Sequence, residues 1–212
     1  MNRKEPAYIP DDCVYSPDDF VIPKHYGNDI CNILLPQGMI MDRIEKLAPD
    51  IREHYGDTTI HLVCVLKGAR QFFSALCTAL AKMGNSRLPY VEHFVQIKRV
   101  IEDGVEVQMT MDDLSELANE HVLVVDTGKR RYTVLEDVVG DARQLSRLCK
   151  DLLKVKLASL RIATLFEKRM NDKVRLNSDF VGFSIPDAFV AGFGLDEDQK
   201  YRDCQHLVVV KR

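Results

Sequence analysis

The sequence predicts an α/β domain built on a parallel twisted sheet flanked by helices, and three observations carry that prediction. Short apolar runs rich in Val, Ile and Phe recur along the chain, as buried parallel strands require. Between several of them lie stretches with apolar residues at three- and four-residue spacing, the mark of amphipathic helices. The 212 residues suffice for one such domain with a sizeable core and fall short of two independent ones.

The opening to about Pro36 is rich in Pro and Asp and reads as an irregular arm laid over the domain. Ile40, Ile44, Leu47, Ala48 and Ile51 then recur at helical spacing. IHLVCVL (60–66) is the first buried strand, and QFFSALCTALAKMG carries a helical apolar stripe closed by Gly84. YVEHFVQI (90–97) is a second strand. The polar segment 98–120 reads as a long loop. HVLVV (121–125), LASLRIATLF (157–166) and DFVGFSI (179–185) are further strands, with FVAGFGL (189–195) and HLVVVK (206–211) as short ones near the end. Strand alternating with helix is the βαβ pattern of a parallel sheet, and ligands collect at the carboxyl ends of its strands.

Composition narrows the function classes. With 46% apolar and 29% charged residues the chain is neither disordered nor fibrous. A net charge of -3 gives no general attraction to nucleic acid or to an anionic membrane, although Lys129-Arg130-Arg131 is a local basic cluster. The stretch MNRKEPAYIPDD lacks the apolar centre of a secretory signal, and no apolar run is long enough to cross a bilayer. Six widely spaced cysteines form no C-x-x-C pair. Cys64, Cys77 and Cys149 fall on apolar strand or helix positions and read as buried free thiols in a reducing, cytoplasmic setting.

Four loops at strand ends hold candidate chemistry. Lys67-Gly68-Ala69-Arg70 joins a strand to a helix and can offer backbone N–H groups and a positive helix end to an anion. Glu136-Asp137 are adjacent carboxylates suited to ribose hydroxyls or a hydrated Mg²⁺, and equally to a plain acidic helix start. Lys168-Arg169 closes the fourth strand, where a lysine can donate to a ligand carbonyl or simply keep a sheet edge soluble. Phe189-Val190 through Leu195-Asp196, followed by Tyr201-Arg202-Asp203, sets a ring and backbone groups beside a carboxylate, as binding of a flat heterocycle needs.

Singly these signals are weak, but their order is specific. LLPQGMIMDRIEKLA, LVCVLKGARQFF, LEDVVGDARQ, FEKR, DFVGFSIPDAFVAGFGLD and YRD resemble the hypoxanthine-guanine phosphoribosyltransferase family from about Phe20 to the C-terminus. The resemblance implies the type I phosphoribosyltransferase fold, one domain over 1–212, with a small hood built from the N- and C-terminal segments (arm 1–36) and a mobile active-site loop at 98–120. It implies purine salvage: transfer of 5-phosphoribosyl from 5-phosphoribosyl-1-pyrophosphate (PRPP) to hypoxanthine or guanine, giving IMP or GMP and pyrophosphate, with Mg²⁺. Family members are homodimers or homotetramers, and no nucleic-acid or membrane partner is implied.

Carried over by position, Lys67-Gly68 becomes the pyrophosphate loop. Glu136 and Asp137 hold the ribose hydroxyls and metal, and Asp141, Ala142, Arg143 and Gln144 take the 5′-phosphate. Lys168 reaches the purine 6-oxo group, Phe189 stacks on the base and the Val190 backbone reads its edge. Asp196 binds a second metal ion and Arg202 the pyrophosphate. Catalytic roles fall to Asp141, Glu136 and Asp137.

The sequence departs from the family pattern in four places. Where the family has Asp-Thr-Gly-Lys-Thr after the acidic pair, this chain has Gly140-Asp141-Ala142-Arg143-Gln144. Gly140 thus replaces the usual general base for purine N7, a loss of about 10²–10⁴ in rate, and Asp141 puts negative charge beside a phosphate. Lys98-Arg99-Val100 stands for Lys-Ser-Tyr in the mobile loop, Ala69-Arg70 alters the pyrophosphate loop, and Glu197-Asp198-Gln199 lies beside the metal position. Asp126-Thr127-Gly128-Lys129 meanwhile repeats the family's phosphate tetrapeptide directly after HVLVV. Either Asp126 to Leu135 is an insertion and Asp141–Gln144 the phosphate loop, the register favoured here, or Asp126–Lys129 is the working loop. The rival to an active transferase is a catalytically weak paralogue that binds purine nucleotide without efficient turnover.

Overall fold

The computed structural model describes residues 4–83, 90–101, 105–110, 114–128, 142–169 and 178–211, with backbone alone at 97–101, 105–110, 142–144, 146 and 147. In chain order the strands and α-helices are β1 (Ala7–Tyr8), β2 (Ile30–Leu35), α1 (Gln37–Tyr55), β3 (Ile60–Leu66), α2 (Arg70–Lys82), β4 (Tyr90–Ile101) and β5 (Val105–Thr110). There follow β6 (His121–Asp126), α3 (Ala142–Leu152), β7 (Ser159–Lys168), β8 (Phe180–Ile185), β9 (Val190–Ala191) and β10 (Leu207–Val210).

The main sheet runs β1-β8-β7-β6-β3-β4-β5, and all its pairings are parallel except that of β4 with β5. The strands are apolar on both faces because both faces are covered. Leu62 and Cys64 of β3 and Leu123 and Val125 of β6 join the cluster of Ile40, Ile44, Phe72 and Leu76 from α1 and α2. The alternate residues Val63, Val122 and Val124 face Leu145, Leu148 and Leu152 of α3. Side chains alternate across a strand, so one run of sequence supplies both cores.

A smaller antiparallel sheet, β2-β10-β9, is the expected hood of N- and C-terminal segments. Its core is Ile30, Ile33, Ala191, Tyr201, Cys204, Val208 and Val210. Tyr201 donates its hydroxyl to Asp29 Oδ2 (3.1 Å), and its N–H bonds Tyr26 Oη (3.1 Å), whose hydroxyl donates to Asp203 (3.0 Å). Helix α1 begins after Pro36, which offers no side-chain cap. His206 supplies one from the other end of the chain: its Nδ1 accepts from Gln37 N–H at 2.9 Å, and its Nε2 lies 3.3 Å from Val21 O.

Three expectations change. The arm 1–36 is not wholly irregular: Ala7–Tyr8 extends the main sheet and Ile30–Leu35 builds the hood. Segment 98–120 is not one long loop, since β4 continues to Ile101 and pairs with β5 from Gln96↔Thr110 to Ile101↔Val105, followed by a 3-10 turn at Leu114–Leu117. Backbone pairing along a free sheet edge satisfies hydrogen-bonding groups whatever the polarity of the side chains, and that edge is invisible in composition. FVAGFGL likewise yields only Val190–Ala191 as strand, because Gly192, Phe193 and Gly194 take positive φ and turn the chain.

Candidate active site

Strand order places the site. From β3 the chain moves outward to β4 and β5, then returns to the other side of β3 as β6 and continues through β7 to β8. Among the described residues, helix α2, which follows β3, packs on one face, whereas α3, the next described helix after β6, packs on the other. Helices on opposite faces after neighbouring strands make the carboxyl ends of β3 and β6 a topological switch point, the position where open α/β sheets bind ligands in a crevice.

The first wall of the crevice is Lys67-Gly68-Ala69, entered through a cis Leu66–Lys67 peptide bond. Lys67 is exposed, and the turn is closed by Ala69 N–H to Val65 O (3.2 Å) and Arg70 N–H to Lys67 O (3.4 Å). The second wall is the end of β6. Thr127 is fully buried and donates its hydroxyl to Gly68 O at 2.9 Å, and Phe166 N–H donates to Thr127 O at 3.1 Å. Gly128 has φ +79, and a Cβ there would lie 2.3 Å from Phe166 O.

The turn after β9 closes the third side. Gly194 has φ +88 and packs so near the first turn that a Cβ would lie 2.4 Å from Gly68 O. Arg202 donates to Gly194 O (2.7 Å) and to Asp196 Oδ1 (2.7 Å), while Gln199 N–H bonds Asp196 Oδ2 (3.0 Å). A Cβ on Gly68 would meet Arg202 Nη1 at 3.9 Å, so the guanidinium stands over the Lys67-Gly68 turn. Gln71 Nε2 bonds Arg202 O (3.2 Å) and ties α2 to the same hairpin. Lys67 and Arg202 thus bring cationic side chains to backbone at the start of a helix, an arrangement that receives polyanions.

The pair Lys168-Arg169 divides its labour. Lys168 lies largely buried at the end of β7 with its Nζ 3.4 Å from Asp187 Oδ1. Arg169 is structural: it donates to Ser184 O (2.7 Å) and Ile9 O (2.6 Å), pairs with Asp11 and stacks on the Tyr8 ring at 4.2 Å. Phe189 packs against the hood core, and Val190 is fully buried in β9.

Of the residues singled out from sequence, Lys67, Gly68, Asp196 and Arg202 meet in this crevice, with Lys168 at the end of the neighbouring strand. Ala142, Arg143 and Gln144 open α3, whose first N–H groups have no partner inside the helix. Glu136, Asp137 and Asp141 lie outside the described residues. Among the described residues no group of three or more His, Cys, Asp or Glu could hold a metal ion, and Asp196 is the carboxylate that Arg202 holds beside the crevice. Sequence reading did not single out Gly194, Gln71 or Asp187. The Gly-x-Gly after a short apolar run was the available signal for Gly194, whereas Gln71 and Asp187 act through partners distant in sequence.

The phosphoribosyl transferase domain model matches residues 32–198. The chain is 37% identical to the hypoxanthine-guanine-xanthine phosphoribosyltransferase of Plasmodium falciparum, over 99% of this chain and 90% of that one. It is 34% identical to the hypoxanthine-guanine phosphoribosyltransferase of Cricetulus griseus, over 99% and 95%. The crystal structure of the Schistosoma mansoni hypoxanthine-guanine phosphoribosyltransferase in complex with IMP superposes with a TM-score of 0.76 at 26% identity, covering 98% and 96% of the two chains. With the predicted fold present and relatives matched along the whole chain, this protein belongs to the hypoxanthine-guanine phosphoribosyltransferase family.

Proposed function

We propose that the protein is a purine-salvage phosphoribosyltransferase that joins hypoxanthine or guanine to the anomeric carbon of PRPP, giving IMP or GMP and releasing pyrophosphate. The observation that carries this reading is the cationic crevice at the β3/β6 switch point, where Lys67-Gly68, Arg202 and Asp196 converge in a chain related over its whole length to enzymes of that name. The weak-paralogue reading is the less favoured, because those relatives carry the transferase name.

In this assignment the Lys67-Gly68 turn and Arg202 bind the departing pyrophosphate and stabilise its developing charge. The opening of α3 holds the 5′-phosphate through the backbone N–H groups of Asp141, Ala142, Arg143 and Gln144 at a helix N-terminus. Lys168 donates to the purine 6-oxo group, Phe189 stacks on the base, and the Val190 backbone reads its edge. Glu136 and Asp137 hold the ribose hydroxyls and stabilise the cationic ribosyl transition state. Asp141 takes the N7 proton in place of the base absent at Gly140. Mg²⁺ suits hard carboxylate oxygens, and Asp196, Glu136 and Asp137 are its assigned ligands; when bound, the ion neutralises phosphate charge. The working unit is a single cytoplasmic domain over 1–212, with 98–120 covering the site, assembled as a homodimer or homotetramer.

A spectrophotometric assay with hypoxanthine or guanine, PRPP and Mg²⁺, run beside GMP calorimetry, tests the reading. Turnover well above background is expected. GMP binding with no turnover would transfer the assignment to the nucleotide-binding paralogue.

A further inference from the structure

The Asp126-Thr127-Gly128-Lys129 tetrapeptide matches a phosphate-binding motif, yet the surroundings of Thr127 point to another use. Thr127 is fully buried at the end of β6, and its hydroxyl donates to Gly68 O at 2.9 Å. A threonine hydroxyl has one proton, so in this arrangement the Thr127 side chain has only lone pairs left to offer. A phosphate oxygen needs donors. The backbone on either side leaves the side chain little freedom, since Phe166 N–H holds Thr127 O and Gly128 packs directly on Phe166 O.

The Gly68 carbonyl is the meeting point of three elements. Thr127 reaches it from β6 and Gly194 from the turn after β9, while the N–H of the same peptide unit, that of Ala69, bonds Val65 O at 3.2 Å. The peptide plane between Gly68 and Ala69 is therefore held at both its oxygen and its nitrogen. That plane lies inside the turn over which Arg202 stands.

We propose that Thr127 is a positioning residue for pyrophosphate: its hydroxyl clasps the Gly68 carbonyl across the β3/β6 switch point and fixes the Lys67-Gly68 turn for the leaving group. In this chain Thr127 works as that clasp and not as part of a cradle for the 5′-phosphate. The inference rests on the transferase reading and deepens it by giving the two phosphate groups of the reaction to different loops.

The test compares Thr127→Val, which keeps shape and burial but lacks the hydroxyl, with Thr127→Ser, which restores the donor. Calorimetry with magnesium pyrophosphate and with GMP, steady-state KM for PRPP and for the base, and thermal unfolding are read for each. Loss of one hydrogen bond predicts pyrophosphate affinity and KM for PRPP worsened roughly 3- to 10-fold in Thr127→Val. GMP affinity and the base KM stay within about twofold, and Thr127→Ser returns to wild type on all measures. Weakened GMP binding with intact pyrophosphate binding would overturn the clasp in favour of a 5′-phosphate cradle. An equal loss of both ligands, or a serine variant as impaired as the valine one, would reduce Thr127 to a packing role and overturn it as well. Wild-type protein that binds neither ligand would sink the transferase reading itself, whereas normal wild-type binding with an unaffected Thr127→Val would sink the clasp alone.

Discussion

Gly194→Ala is the perturbation whose consequences the structure fixes most closely. The residue has φ +88, and a Cβ at that position would sit 2.4 Å from Gly68 O and 3.7 Å from Gln71 Cβ. Carbon–oxygen contacts settle at about 3.3–3.6 Å, so the hairpin and the Lys67-Gly68 turn must part by about 1 Å. Neither side yields cheaply: Gly68 O also takes the Thr127 hydroxyl, and Gly194 O holds Arg202 at 2.7 Å. A side chain forced to positive φ costs about 1–3 kcal/mol and overpacking a filled site a further ~1–3, so the variant should lose roughly 2–4 kcal/mol of stability after relaxation. A displacement of about 1 Å among positioned groups costs on the order of 10² in rate, which predicts kcat/KM for PRPP lowered by about that factor. Denaturant unfolding and steady-state kinetics measure the two effects. Gly38→Ala is the control: a Cβ on this α1 glycine would have nothing within 4 Å, and alanine there should stabilise by about 0.5–1 kcal/mol. A Gly194→Ala protein with wild-type kinetics would refute the claim that this contact positions the pyrophosphate turn.

The remaining predictions concern acid stability, thiol reactivity and the altered phosphate loop. Burial holds the His206 imidazole below its ordinary pKa, and its Nδ1 must stay unprotonated to accept from Gln37 N–H. The unfolded chain therefore binds more protons below about pH 6.5, and stability falls as pH drops from there through the folded-state pKa. In His206→Asn, which keeps an acceptor, thermal unfolding from pH 7 to pH 5 should show a smaller fall than wild type; an unchanged slope would remove His206 as its source. Burial pushes the Cys64 and Cys77 thiols up to about 12 and Cys149 up to about 11, so iodoacetamide at neutral pH should label exposed Cys31 first, and early modification of Cys64 in folded protein would contradict that. Restoring the family pattern with Gly140→Asp, Asp141→Thr and Ala142→Gly together should raise kcat by about 10²–10⁴ if Gly140 marks a lost general base. No gain would count against the Asp141–Gln144 register.

Strand and helix positions were legible in the sequence because burial imposes a period. IHLVCVL and HVLVV are apolar on both faces since α1 and α2 cover one side of the sheet and α3 the other, and the stripe from Ile40 to Ile51 marks the one face that α1 buries. The candidate turn at Lys67-Gly68 and the Asp196–Arg202 segment were legible too, through their order along the chain. The hairpin at β4 and β5 was not, because its strands are specified by pairing with a neighbour and not by an apolar face. Nor was the Ile30–Leu35 strand, which depends on a partner at Leu207–Val210 at the far end of the chain.

Sequence by itself determined the fold class and the kinds of residue that gather at the strand ends. Only the tertiary structure decided which of them touch. Thr127 reaches Gly68 across 59 positions, Gln71 bonds the Arg202 carbonyl across 131, and His206 caps α1 across 169. Such contacts are made by polar side chains whose partners are backbone atoms, and a backbone N–H or carbonyl leaves no mark in the sequence. The strand order sets these groups beside one another, and the hydrogen bond follows from the cost of burying either group alone.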